Sequence, residues 1–299
     1  MCDALVALRP ATAGPWSLFA KNSDRPPGER QVYEWQPPRR ERSTTRATYI
    51  EVEAARTDTL GCLISRPTWM WGAEHGVNEA SVAVGNTTVY TLLDPRRSPP
   101  ALTGMDLVRL ALERASTAAD AVEVITTMIE RYGQGGSGQQ VDVDGQARPY
   151  WSSFLVTDCV TAFVVDTSGA AWADEQVQDA RAISNRTSVA GFDAQHRHPR
   201  QQVEAYVEPR LRASEAVLAT RPVTVDAAQR HLRSHDSCGD AGWSVCMHVP
   251  EVQVTTSSMI VALRPAVPAE VWAATGSPCA ADYTRFTLDE APSLDMASV

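Results

Sequence analysis

Met1-Cys2-Asp3-Ala4-Leu5-Val6-Ala7-Leu8 and Phe19-Ala20-Lys21-Asn22-Ser23-Asp24-Arg25 are the stretches on which the reading of this 299-residue chain turns. A cysteine at position 2 becomes the first residue once the initiator methionine is removed. It then carries a thiol and a free α-amine on one carbon. Such an amine titrates at about 7.7–8.0, so a single residue supplies both a nucleophile and a general base for neutral pH. Ala4 to Leu8 is an apolar, strand-like run that would hold this terminus rigidly. A second apolar run, Trp16 to Ala20, leads into Lys21 and Asp24, and a hairpin would return both to Cys2. There Lys21 would favour the thiolate and Asp24 would orient the ammonium form of the terminus.

Composition narrows the classes. With 43% hydrophobic and 21% charged residues, the chain has the make-up of a globular protein long enough to bury a large core. A net charge of −9 argues against nucleic acid or an anionic membrane as partner. The apolar runs are strand-sized, so no transmembrane helix is expected. The N-terminus lacks the basic region and apolar core of a signal peptide, which leaves the cytoplasm as the expected location. Six cysteines in a chain of this size do not make a disulfide scaffold. The five arginines that follow Arg25, up to Arg46, are interrupted by Glu29, Glu34 and Glu41 and read as a solvated surface.

Elements alternate without a composition break or internal repeat. Strands are expected near 59–65, 81–89, 153–157, 161–167, 170–173, 254–263 and 271–275. Helices are expected over Met105–Arg114 and Thr117–Tyr132, then near 209–219 and 225–234. In the second, Thr117-x-x-Asp120 resembles a capping box and Gly133 acts as a stop. Gly135-Gly136-Ser137-Gly138 lacks the Gly-Lys-Ser/Thr ending of a phosphate loop, so nucleotide binding is not expected. Patterning alone supports one α/β or α+β domain, with residues 286–299 as a fraying tail.

The opening MCDALVAL with FAKNSDRPPGE (19–29) resembles the secernin and dipeptidase group (C69 type) of N-terminal-nucleophile hydrolases. Further matches follow in order: WMWGAEHGVNE (69–79), VAVGNTTVYT (82–91), TGMDLVRLALERA (103–115), AVEVITTMIERYGQGG (121–136), AISNRTSV (182–189), and Cys246-Met247-His248 with TTSSMIVAL (255–263). The resemblance implies a four-layer αββα sandwich spanning residues 2–285. It also implies a cysteine amidohydrolase, dipeptidase-like, acting on a small amide through a Cys2 thioester, with no cofactor. By the same resemblance, Asn86 would give a backbone N–H and Asn185 a side-chain N–H to the oxyanion. Trp69 and Trp71 are candidates for an aromatic pocket wall, although core is the commoner fate of such residues. Trp151 joins them as a substrate-contact candidate. It opens Trp151-Ser152-Ser153-Phe154, where secernin-like chains tend to carry a His-Asn-Ser/Thr-Phe run.

Metal-ligand residue types gather in His231, His235, Cys238, Cys246 and His248. No tight cysteine pair completes a tetrahedral set, so no metal site is expected. Two other activities fit the same motifs: acyl transfer to an amine on the same scaffold, and a non-catalytic secernin-like interaction role. A homo-oligomer is compatible with either.

Overall fold

A computed structural model describes residues 1–40, 43–140, 146–199, 201, 203–236 and 242–295. The N-terminal part supplies β1 (Cys2–Ala7), β2 (Ser17–Arg25), β3 (Gln31–Gln36), β4 (Thr44–Arg46) and β5 (Glu51–Glu53). Then follow β6 (Cys62–Pro67), β7 (His75–Asn78), β8 (Ala83–Val89), α1 (Gly104–Arg114) and α2 (Ala118–Tyr132). The second half runs β9 (Trp151–Thr157), β10 (Ala162–Ser168), β11 (Ala171–Gln176), β12 (Ala180–Ile183), α3 (Ala190–His196), α4 (Val203–Tyr206), α5 (Glu208–Ala219) and α6 (Val225–Leu232). It closes with β13 (His248–Val249), β14 (Gln253–Leu263), β15 (Glu270–Thr275) and β16 (Thr284–Thr287).

Two antiparallel sheets carry the fold among the described residues. One has the order β12-β1-β2-β14-β15-β16, with β13 paired to β14; the other is β11-β10-β9-β8-β7-β6-β3. Alternation along the central strands decides what each face meets. From β1 and β2, Ala4, Val6 and Phe19 point between the sheets and pack with Leu63, Val77, Ala83 and Leu155 of the opposite sheet. Leu5, Ala7, Leu18 and Ala20 point the other way and pack under Leu211 and Leu218 of α5 and Ala228 and Leu232 of α6. On the far side, Ile64, Val82, Val84, Phe154 and Val156 pack against Leu107, Leu110, Ala111, Ile125 and Ile129 of α1 and α2. These are four layers, αββα, as the motif resemblance implied. No helix among the described residues is long and apolar enough to cross a membrane.

Two local readings change. The reciprocal capping box sits on α1, between Thr103 and Asp106; on α2, Thr117 accepts from the Asp120 N–H without the return bond. Residues 284–293 do not fray. β16 pairs with β15, and Phe286, Leu288 and Ala291 are buried in the inter-sheet core, so apolar burial continues past position 285.

Candidate active site

β1 and β2 pair in the register Cys2↔Ser23 and Ala4↔Lys21, so the hairpin inferred from the two apolar runs does return Lys21 and Asp24 to Cys2. Side-chain alternation then sorts them. The Cys2 thiol faces the space between the sheets, with Lys21 and Ser23. Asp24 faces the helical layer, where Asn22 donates to the carbonyls of Leu232 and Val245.

The inter-sheet face is a buried charged network centred on Glu74, which the sequence reading had not singled out. Glu74 Oε2 lies 3.9 Å from the Cys2 thiol and 3.7 Å from Lys21 Nζ, and Arg25 Nη1 donates to Glu74 Oε1 at 2.7 Å. Arg25 also donates to Glu29 and to the Gly138 carbonyl. Lys21 Nζ donates to Ser23 Oγ at 2.7 Å, and Ser23 meets His75 Nδ1 at 3.1 Å. Burial holds the His75 imidazole well below its ordinary range, with the Lys21 charge acting in the same direction. Burial also pushes the Cys2 thiol up; Lys21 pulls it down and Glu74 pushes against Lys21. Two adjacent ionisable residues in the run of small and apolar residues from Met70 to Val77 were the signal available for Glu74 and His75.

Gly85 makes room for the buried lysine. A Cβ there would lie 2.6 Å from Lys21 Cδ and 3.0 Å from Phe19 Cζ. Gly85→Ala should therefore lower stability by about 1–3 kcal/mol, measured by urea unfolding, and the cost should shrink in a Lys21→Ala background. Equal penalties in both backgrounds would remove Lys21 as the cause.

At the head of β1, the Cys2 N–H donates to Asn185 Oδ1 at 2.9 Å, and Asn185 Nδ2 donates to the Thr88 carbonyl at 3.0 Å. Arg210 of α5, fully buried, fixes this amide: Nη2 donates to Asn185 Oδ1 at 2.8 Å and Nη1 to Asp3 Oδ2 at 2.5 Å. Nothing in the Arg- and Glu-rich sequence of α5 distinguished Arg210 from Arg212. The part-buried Met1 ammonium donates to the Asp24 carbonyl at 3.4 Å and to Gln253 Oε1. Asp24 Oδ1 accepts from Thr255 Oγ1 at 2.7 Å, whereas its buried Oδ2 has no hydrogen-bond partner among the described residues. A register shift between Thr255 and Ser257 puts a bulge in β14 here, which sets Thr255 opposite Asp24. Burial raises the Asp24 carboxyl to about 6.

Asn86 is placed otherwise than the resemblance implied. Its backbone N–H donates to the Glu74 carbonyl at 3.1 Å, continuing the β7–β8 ladder, so that donor is already used. With the side-chain nitrogen turned towards Glu74, it reaches Glu74 Oε2 at 3.2 Å and Glu74 O at 3.0 Å. Asn86 thus holds Glu74 in position and has no backbone hydrogen left for an oxyanion.

The tryptophans also separate. Trp69 is half-buried and donates to Glu29 Oε2 at 3.2 Å, at the edge of the Arg25–Glu74 network. Trp71 packs towards the helical layer with Arg109 stacked 4.2 Å from its ring centroid. Trp151 is fully buried in β9 with its indole N–H on the Leu93 carbonyl, leaving no surface for a substrate. A cleft of about 530 Å³ is lined by Tyr90, Arg96, Arg148 and Gln201; neither Cys2 nor Asn185 lines it, and its link to the site is Gln201 Nε2, which donates to the Asn185 carbonyl at 2.5 Å.

No family model matches the chain. Solved structures do. Conjugated bile acid hydrolase from Clostridium perfringens, in its C2A variant, superposes with a TM-score of 0.60 at 11% identity, covering 97% of this chain and 93% of that one. Penicillin V acylase from Agrobacterium tumefaciens gives 0.56 at 12% identity over 97% and 87%. The Caenorhabditis elegans orthologue of N-acylethanolamine-hydrolyzing acid amidase gives 0.50 at 10% identity over 87% and 92%. Paired antiparallel sheets between helical layers, with Cys2 heading a central strand, are the fold of the N-terminal-nucleophile hydrolases.

Proposed function

We propose that this chain is a cysteine amidohydrolase of the N-terminal-nucleophile type, acting on a small, dipeptide-like amide as the secernin-type dipeptidases do. The observation that carries the reading is the position of Cys2 in this fold. Its nitrogen meets the Asn185 amide, and its thiol lies 3.9 Å from buried Glu74, which pairs with Lys21. Structural neighbours described as an acylase, a conjugated bile acid hydrolase and an acid amidase support amide hydrolysis. The dipeptide-sized substrate rests on the motif resemblance to the secernin and dipeptidase group.

Removal of Met1 turns the Cys2 nitrogen into an amine. The amine takes the thiol proton, and sulfur attacks the carbonyl carbon as the π pair moves to oxygen. Collapse breaks the C–N bond, and the ammonium returns its proton to the leaving nitrogen. Water then cleaves the thioester with the same amine as base. Arg210 holds the oxygen side of the Asn185 amide, and Nδ2 keeps a second N–H beyond the one given to Thr88 for the oxyanion. Lys21 offsets the Glu74 charge at the thiolate. The free Oδ2 of Asp24 is available to the ammonium.

Rapid-quench mass spectrometry on a dipeptide panel tests this. The expected result is an acyl adduct on the peptide that begins with Cys2, with acid and amine released in equal amounts in water alone. Turnover that requires an added amine would replace hydrolysis by acyl transfer, and turnover without an adduct would remove the thioester. A pH profile adds a second test. Asp24, raised to about 6 by burial, must be ionised to orient the ammonium, so kcat/KM should fall as pH drops through about 6. Asp24→Asn should be slower and should lack that acid limb. An unchanged limb in the variant would assign it to another group.

A further inference from the structure

Apart from Cys2, the chain brings four metal-binding side chains to one point. His235 follows the end of α6, Cys246 and His248 flank Met247 at the start of the β13–β14 hairpin, and Cys279 lies in the turn between β15 and β16. Their ligand atoms all fall within 4.8 Å of one another. Cys246 Sγ is 3.5 Å from His248 Nε2, and His248 Nε2 is 3.2 Å from Cys279 Sγ. The His235 and His248 rings meet edge to face at 4.9 Å between centroids. A tetrahedral Zn²⁺ with two sulfur ligands at about 2.3 Å and two nitrogen ligands at about 2.0–2.1 Å sets its ligand atoms roughly 3.3–3.8 Å apart. The 3.5 Å contact falls within that spacing and the 3.2 Å contact lies about 0.1 Å below it.

We infer that His235, Cys246, His248 and Cys279 form a structural Zn²⁺ site. Two thiolates and two imidazoles in a four-coordinate set select zinc over the harder divalent cations. Independent hydrogen bonds hold the four segments in place. The Cys246 N–H donates to the Ser234 carbonyl, Ser244 Oγ to the His235 carbonyl, and the His248 N–H to the Gly242 carbonyl. Ser277 Oγ donates to the Thr255 carbonyl, tying the Cys279 turn to β14. Gly242 has φ +76°, and a Cβ there would lie 2.1 Å from the His248 carbonyl oxygen, so this close approach requires glycine. The metal would clamp the end of α6, the hairpin and the turn together. The hairpin also carries Thr255, which bonds Met247 on one side and Asp24 on the other. The site thus braces the wall behind Asp24 and takes no part in chemistry at Cys2.

Of the five candidate ligand residues noted in the sequence, His231 is excluded: it is buried against Ser214 Oγ at 2.9 Å. Cys238 lies outside the described residues. Cys279, 31 positions beyond His248, replaces the missing ligand.

The full-length chain, reduced and stripped of metal, tests the assignment by titration with Co²⁺ and then Zn²⁺. The expected result is one equivalent bound, with the visible bands of tetrahedral Co²⁺, a thiolate-to-cobalt charge-transfer band, and displacement by Zn²⁺. Cys2→Ser should bind identically. His235→Ala and Cys279→Ala, both at exposed positions that should fold, should lose the charge-transfer band or weaken binding by about 100-fold. Saturating Zn²⁺ should raise Tm by about 5 °C in the wild type and leave Cys279→Ala unmoved. Binding that survives Cys279→Ala would overturn the assignment. So would a Cys246–Cys279 disulfide in protein whose reduced form binds no metal. Because these readouts are binding and stability, the result stands or falls apart from the hydrolase reading.

Discussion

Cys2→Ser should lower kcat by about 10³-fold or more and leave the fold intact. The substitution exchanges one atom at the head of β1, whose pairing with β2 and β12 runs through backbone groups. A hydroxyl is far more reluctant than a thiol to give up its proton to an amine that titrates near neutrality. The other described cysteines lack these surroundings. Cys62 is fully buried against the α1 side of its sheet, where burial pushes its thiol far up. Cys159 is half-buried in the turn before β10, and burial raises it too. Alanine at either position should leave kcat near the wild-type value. Steady-state kinetics with near-UV circular dichroism separates loss of chemistry from loss of fold. A well-folded Cys2→Ser retaining more than about a tenth of wild-type turnover would count decisively against Cys2 as nucleophile.

A form that keeps Met1 should be inactive to a similar degree, again about 10³-fold below the processed enzyme. With Met1 in place, the Cys2 nitrogen is a peptide N–H that donates to Asn185, and it has no lone pair to act as base. The terminal ammonium instead lies one residue away, beside the Asp24 carbonyl and Gln253, where burial lowers its pKa. The Met1 sulfur rests 3.5 Å from Arg210, against the group that orients Asn185. The Cys2 thiol, 3% exposed and raised by burial, should react slowly with iodoacetamide in this form. Removing Met1 leaves Asn185 Oδ1 and the unpartnered Asp24 Oδ2 to receive the new amine. Protein made with methionine aminopeptidase inhibited, then treated with that enzyme, provides the test. Activity and fast Cys2 alkylation should rise together with the fraction that has lost one methionine by intact mass. Full activity at the unprocessed mass would remove the α-amine from the mechanism.

Local pattern was enough for the elements that carry a strong period or a stop. The apolar runs of β1, β8 and β14, the α1 and α2 faces and the Gly133 stop all stand where the sequence puts them. The β1–β2 hairpin was legible for the same reason: two apolar runs a short turn apart have few other ways to pair. Side-chain alternation separates Lys21 from Asp24 within β2, and the observed register then puts Cys2 on the face of Lys21.

What pairs across the sheets is different, because contacts between distant segments leave no local period. Glu74 comes under Cys2 only when β7 of one sheet is laid over β1 and β2 of the other, and Arg210 reaches Asn185 only when α5 covers β12 and β1. The same cause moved Asn86 from oxyanion donor to support for Glu74, since its N–H was claimed by a ladder to β7. It buried Trp151, and it brought Cys279 to His235, Cys246 and His248 from a turn with no ligand spacing to advertise it. The sequence by itself pointed to Cys2 as the candidate nucleophile and to the hairpin that presents it, because these follow from side-chain type and short-range period, while the four layers followed only from the motif resemblance. The tertiary structure alone decided which buried charges meet Cys2 and which four ligand side chains gather at the proposed zinc site, because those depend on which faces of separate layers come into register.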